Sequence, residues 1–264
     1  MMKFLVGEVR EPPLRVDFHG KSRNMDRNNP MELFGKQQHL YFINQDLADR
    51  VKALVAGTLS CDRNEAAALE LAFQAFSLAD QLISCFESAN HLPHSIVCRE
   101  GCSFCCFNQV EVTPLEALSI GRYVGQNFSA QERDALMARV SRSLDLKAGK
   151  GKKDLARLRR QLPCPLLMGG RCSIYPVRPL VCRAMHTFEA EACEQELLGG
   201  KLGPGAYYAH RYEFVWSISS GLQNGCREVR CQTGVLDLTR ALKDFFSREN
   251  PLERWVSGEE VFCT

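Results

Sequence analysis

Apolar positions recur at helical spacing over most of the chain. From 42 to about 56, Ile43, Leu47, Val51, Leu54 and Val55 return every three or four residues, which predicts a helix with Gly57 as its stop. A longer stripe follows through Leu69, Phe73, Phe76, Leu82, Ile83 and Phe86. Asp62 is placed to cap it, and Glu65 to complete a capping box. Thr113-Pro114-Leu115-Glu116 is another helix start, with a cap, a proline at the first helical position and a glutamate at the third. Ser129 and Glu132 open a further helix in the same way, and 207–222 and 235–248 read as helices with softer ends. Period-two alternation is confined to 109–113 and 16–18, while Lys21 to Pro30 is polar and turn-rich, a loop. The expected class is mainly α, with helices around an irregular cysteine-rich module and very little β. No period of 20–50 residues repeats, so a solenoid is not expected.

Two stretches carry neither period, 98–108 and 163–186, and the cysteines gather there. The expected organisation is an irregular N-terminal segment (1–41), a helical accessory region (42–95), a cysteine-cluster metal-binding domain (96–250) and a C-terminal tail (251–264).

Composition changes this picture only in one respect. The 264 residues carry 33 basic and 31 acidic side chains, are 45% hydrophobic and 24% charged, and sit at globular averages. No stretch approaches 18 apolar residues, so no membrane partner is expected. The start, Met1 to Glu8, has too short an apolar run for a signal peptide, and a cytoplasmic location is expected. Thirteen cysteines are the exception. In a reducing compartment they point to metal ligands or catalytic thiols before disulfides.

Eight of them lie between 98 and 193: Cys98, Cys102, Cys105 and Cys106 in the form C-x3-C-x2-C-C, then Cys164, Cys172, Cys182 and Cys193. Short spacings let a tight turn present thiolates to one ion, and a distant group closes the shell. Adjacent Cys105 and Cys106 diverge in any regular element, so one tetrahedral ion does not take both comfortably. Two neighbouring centres or one multinuclear cluster fit better. Cys61, Cys85, Cys226, Cys231 and Cys263 are scattered beside helical stripes and are expected to be inert, buried thiols.

The strings Cys98-Arg-Glu-Gly-Cys102-Ser-Phe-Cys105-Cys106, Cys164-Pro-Leu-Leu and Cys172-Ser-Ile-Tyr-Pro-Val-Arg-Pro-Leu-Val-Cys182-Arg resemble the YkgJ-type cysteine-cluster family. That family is named for a CxxCxxCC signature and described as zinc- or iron-chelating. The resemblance implies metal ligation by Cys98, Cys102, Cys105, Cys106, Cys164, Cys172 and Cys182, with Cys193 as an eighth. The first gap here is three residues where the signature has two.

Around the cysteines, Pro163, Pro165, Pro176 and Pro179 stiffen the backbone. Arg178 and Arg183 are placed either to offset thiolate charge or to hold the loop by a salt bridge. His94 and His186 each lie four residues from a cysteine and are expected beside the site rather than in the ligand set. The aromatic group Tyr207, Tyr208, Tyr212 and Trp216 is expected to be core packing. Residues 139–160 carry nine basic and two acidic side chains without interleaved aromatics. A solvated loop between helices is expected there, not a nucleic-acid surface.

The cofactor expected is an iron–sulfur cluster or Zn2+. Adjacent cysteines and eight thiolates favour iron–sulfur, although two four-cysteine zinc sites meet the same count. Two enzymatic alternatives arise from resemblance. Cys98-x3-Cys102-x-Phe104-Cys105 also fits the cluster motif of radical S-adenosylmethionine enzymes, whose repeated strand–helix units are missing from the pattern here. Flagellin lysine N-methylases are similar to the cysteine-cluster family, which makes an iron–sulfur and S-adenosylmethionine-dependent protein lysine N-methylase the alternative reading. No G-x-G-x-x-G or phosphate loop is present to bind a nucleotide. A protein partner or substrate is left open.

Overall fold

A computed structural model describes residues 43–199 and 207–263. The expected irregular segment 1–41, with its loop at 21–30 and strand at 16–18, lies outside the described residues. Among these residues the chain is mainly α, with ten α-helices and two minimal two-stranded antiparallel sheets. Among the described residues, no helix is long and apolar enough to cross a membrane.

α1 (Gln45–Cys61) is capped by Asn44, whose side chain accepts from the Leu47 amide at 3.0 Å. It runs through Gly57, the expected stop. That glycine faces solvent, and the next turn seats Leu59, 1% exposed, in the core. Burial of a leucine outweighs the roughly 1 kcal/mol that glycine costs a helix. Asp62 then closes α1 rather than opening α2 (Glu65–Ala89), and the cap of α2 is Asn64, accepting from Ala67 at 2.9 Å. α3 (Pro114–Asn127) and α4 (Ala130–Lys147) begin at Thr113 and Ser129 with both halves of the expected capping boxes formed.

α5 (Lys152–Leu158), α6 (Leu180–Ala184) and α7 (Ala190–Leu197) are short and belong to the irregular region. α8 (His210–Glu228) starts later and ends later than its apolar stripe predicted. It packs along α1. A Cβ on Gly221 would lie 2.5 Å from the Ala48 carbonyl, and one on Gly225 2.6 Å from Val55 Cβ, so both glycines are required by the close approach of the two helices.

β1 (Glu111–Val112) pairs antiparallel with β4 (Leu236–Asp237), Val112 opposite Leu236. Asp237 then caps α9 (Leu238–Ser247), which packs against α3 and α4. On α10 (Pro251–Val256), Trp255 is fully buried and donates Nε1–H to the Gln232 carbonyl at 3.0 Å. The Gln232 side chain in turn holds the backbone of Val261 and Phe262.

Candidate metal centre

All eight clustered cysteines are half-buried free thiols, and they arrive from five segments. Cys98 and Cys102 lie in the loop after α2, tied back by Val97 N–H to the Thr187 carbonyl at 3.1 Å. Cys105 and Cys106 sit on a 3-10 turn, Phe104–Phe107. Cys164 donates its amide to the Cys106 carbonyl at 2.7 Å, which joins the first cysteine group to the second by the backbone itself.

From Cys164 the chain enters a hairpin, β2 (Leu167–Met168) against β3 (Arg171–Cys172), with Cys172 opposite Leu167. Its two-residue loop, Gly169-Gly170, has both φ angles positive, +56° and +77°, as the tight hairpin turn demands. Leu167 N–H bonds the Cys164 carbonyl at 2.9 Å, so the turn brings Cys164 and Cys172 to the same end of the hairpin. Cys182 follows on α6 and Cys193 on α7.

Cys105 is the electrical centre of the group. Its charge bears on Cys98, Cys164, Cys172, Cys182 and Cys193, and its thiol is hydrogen-bonded to Cys106. That bond, followed by burial, holds Cys105 far above the usual thiol range. Burial pushes Cys98 and Cys164 up to about 11 and Cys182 well above 9. Seven buried or half-buried thiols cannot ionise together without a cation among them. Among the described residues, no three His, Cys, Asp or Glu side chains converge as a finished ion cage.

Positive charge is already placed for a thiolate site. Arg178 and Arg183 both favour ionisation of Cys172, and Arg178 also that of Cys105. Arg178 Nε is buried without a hydrogen-bond acceptor, and its guanidinium lies over the Tyr175 ring, 4.4 Å from the centroid. The same two arginines make a salt bridge, the other expected role: Asp80 of α2 pairs with Arg183 and lies 3.9 Å from Arg178. Arg183, 4% exposed, further donates to the carbonyls of Pro176 at 2.8 Å and Arg178 at 3.0 Å. One guanidinium thus fixes the whole loop between Cys172 and Cys182. The donor set is soft, sulfur-only and flanked by cations, so the residues present fit zinc or iron.

Several neighbours escaped the sequence pattern. Glu116, legible only as half of a capping box, is buried and accepts from the Leu180 amide at 2.8 Å, fastening α3 to the helix of Cys182. Burial raises its carboxyl above the ordinary range. The basic stretch 139–160 is largely helical rather than a loop, and part of it turns inward. Lys147 bonds Asp237 at 2.8 Å and Thr239 at 2.9 Å, and favours ionisation of Cys164. Arg139 holds the Pro165 carbonyl at 2.8 Å, and Arg159 pairs with Glu196 of α7 at 3.2 Å.

The aromatic group is a wall of half-buried rings beside the cysteines, not core. Tyr212 feels the charge of Cys105, and burial leads the causes that push its phenol up. His186 is no ligand as placed, since Nδ1 meets the Ala184 carbonyl at 2.7 Å and Nε2 accepts from the Tyr208 amide at 3.0 Å. Burial lowers its pKa to about 4. His94 is exposed and rests edge-on against Phe188. Of the scattered cysteines, Cys226 and Cys231 are buried as expected, whereas Cys61, Cys85 and Cys263 are exposed.

Residues 97–197 match the family model CxxCxxCC, described as "Putative zinc- or iron-chelating domain". The match takes in all eight cysteines and leaves most of the helical frame outside. No curated protein and no solved structure matches the chain. The matched region has a hairpin, two short helices and a 3-10 turn that carry its thiols, together with the loop of Cys98 and Cys102.

Proposed function

We propose that the CxxCxxCC domain chelates iron as an iron–sulfur centre through Cys98, Cys102, Cys105, Cys106, Cys164, Cys172, Cys182 and Cys193. The observation that carries this reading is the position of Cys105, within electrostatic reach of five cysteines and hydrogen-bonded to a sixth. A single tetrahedral ion takes four ligands, so seven gathered thiols call for more than one metal atom. When bound, such a centre supplies one-electron chemistry or an open iron for a ligand. The chain's own part is to present thiolates, to balance them with Arg178, Arg183 and Lys147, and to shield them behind Tyr212. A cytoplasmic, reducing setting, which keeps thiols available as ligands, goes with this reading. Lysine methylation has no observation in its favour and is not part of it.

The test is metal and acid-labile sulfide per chain on protein purified without oxygen, with a visible spectrum. Iron with sulfide supports the proposal. Two zinc ions in a colourless sample would move the reading to a pair of four-cysteine zinc sites. Folded protein without metal would overturn chelation altogether.

A further inference from the structure

The cysteines are not equivalent in how the fold holds them. Cys164, Cys172 and Cys182 stand in one continuous run among buried neighbours: Leu162, Leu166, Ile174, Leu180 and Ala184 are all at most 3% exposed. That run is fastened from several sides. Leu167 N–H bonds Cys164, Ser173 N–H bonds Leu166 at 3.0 Å, Glu116 holds the Leu180 amide, and Arg183 holds two carbonyls of the intervening loop.

Cys98, Cys102 and Cys193 have a different setting. Val97, Arg99, Glu100 and Gly101 are exposed. Cys193 lies on α7, which has no buried residue and no side-chain cap at its start. Leu198, just past its end, is 60% exposed. Among the described residues, one backbone hydrogen bond, Val97 to Thr187, links the 98–102 loop to the segment leading into α7, and the Arg159–Glu196 pair steadies α7 from the side.

Electrostatic neighbours divide the same way. Cys98 and Cys193 both sense Cys102, while Cys182 senses Cys164 and Cys172, and each of these three also senses Cys105. Cys105 and Cys106 lie at the seam.

We propose that the eight thiols form two metal subsites of unequal lability, an inner one on Cys164, Cys172 and Cys182 and an outer one on Cys98, Cys102 and Cys193, joined at Cys105–Cys106. This deepens the chelation reading and rests on it. The outer subsite can open by swinging α7 or the 98–102 loop, at the cost only of half-buried surface such as Ala192 and Leu197, where α7 rests on the Phe104–Phe107 turn. The inner one opens only when the hairpin and α6 unpack. The outer subsite therefore gives up its metal first, while the inner one keeps its own and holds the domain folded.

The test uses the full chain, purified without oxygen with the metal it carries, mixed with excess of a chromogenic chelator that reports both Fe2+ and Zn2+. Wild type is expected to release metal in a fast and a slow phase. Cys98→Ser and Cys193→Ser are expected to lose the fast phase and keep the slow one, with helix content unchanged by circular dichroism. Cys61→Ser, an exposed cysteine of α1, is expected to keep both. Release of bound metal in one phase, or equal loss of both phases in the two outer variants, overturns the two-subsite proposal and leaves chelation standing. A chain that carries no metal overturns chelation as well.

Discussion

The helical frame and the cysteine domain solve the same problem with different forces. The frame, α1–α4 and α8–α10, is held by apolar burial: Val55, Ala68, Leu118, Ile120, Val124, Leu136, Val140, Ile218 and Trp255 have no exposed surface. The cysteine domain has short elements and few such residues, and polar pins do much of the holding, Arg183 to Asp80 and Glu116 to Leu180 among them. A segment that buries little apolar area offsets little of its chain entropy. Eight cysteines on such a segment make metal the natural further stabiliser. The comparison shows where each part is vulnerable: the frame to cavities, the domain to loss of charge or metal.

Metal removal should separate the two most sharply. Stripping the chain with a chelator under reducing conditions is expected to cost the cysteine domain on the order of 10 kcal/mol of binding-coupled stability. Amides of 97–108 and 163–197 should then exchange rapidly with deuterium while those of α1, α3, α4 and α8 stay protected. Equal protection in both regions, before and after, would show that the domain folds on its own.

Trp255→Ala is the converse experiment. It should destabilise the frame by about 3–5 kcal/mol, through a cavity and an unpaired Gln232 carbonyl. Thermal unfolding would register the loss, and metal per chain should not change.

His186 lies where the two regions meet. Its pKa, lowered by burial from 6.5 to about 4, means that the fold favours the neutral ring. A group depressed in this way contributes its stability in full above about pH 6.5 and loses it as pH falls toward about 4, up to roughly 3 kcal/mol. Urea titrations at pH 7 and pH 4.5 should show this loss, and His186→Gln should flatten that part of the pH dependence.

The smallest effect expected is at Asp80. Asp80→Ala leaves the buried Arg183 guanidinium short of its carboxylate, at a cost of about 1–3 kcal/mol. Half-exposure of Asp80 keeps the value low. Weaker metal retention, read by competition with a chelator, should accompany it if the loop between Cys172 and Cys182 is positioned from α2. Retention equal to wild type would confine Asp80 to the frame.

Much of the frame was legible because helix starts and apolar stripes are local. Thr113 with Glu116, and Ser129 with Glu132, form their capping boxes from residues three apart, and no distant contact is needed to specify them. Where local signals competed, packing chose. Gly57 lost to Leu59, and Asp62 became the end of one helix instead of the start of the next. The cysteine spacing marked the site, yet the Asp80, Lys147 and Glu116 contacts were invisible, since each spans tens of residues: Arg183 lies 103 positions from Asp80 and Asp237 lies 90 from Lys147. The basic stretch is divided for the same reason: Arg142, Lys150, Lys153, Arg157 and Arg160 are exposed, as solvated charge should be, while Arg139, Lys147 and Arg159 find partners across the fold.

The sequence by itself determined the helical class, the capping boxes at Thr113 and Ser129 and the cysteine-rich region that matches a zinc- or iron-chelating domain, because periodicity, capping chemistry and cysteine spacing act over a few neighbouring residues. Only the tertiary structure decided that Cys105 stands among the other thiols, that Arg183 locks their loop to α2, and that His186 spends both ring nitrogens on backbone. Burial and charge pairing depend on which distant segments meet, and that follows from packing the helices together.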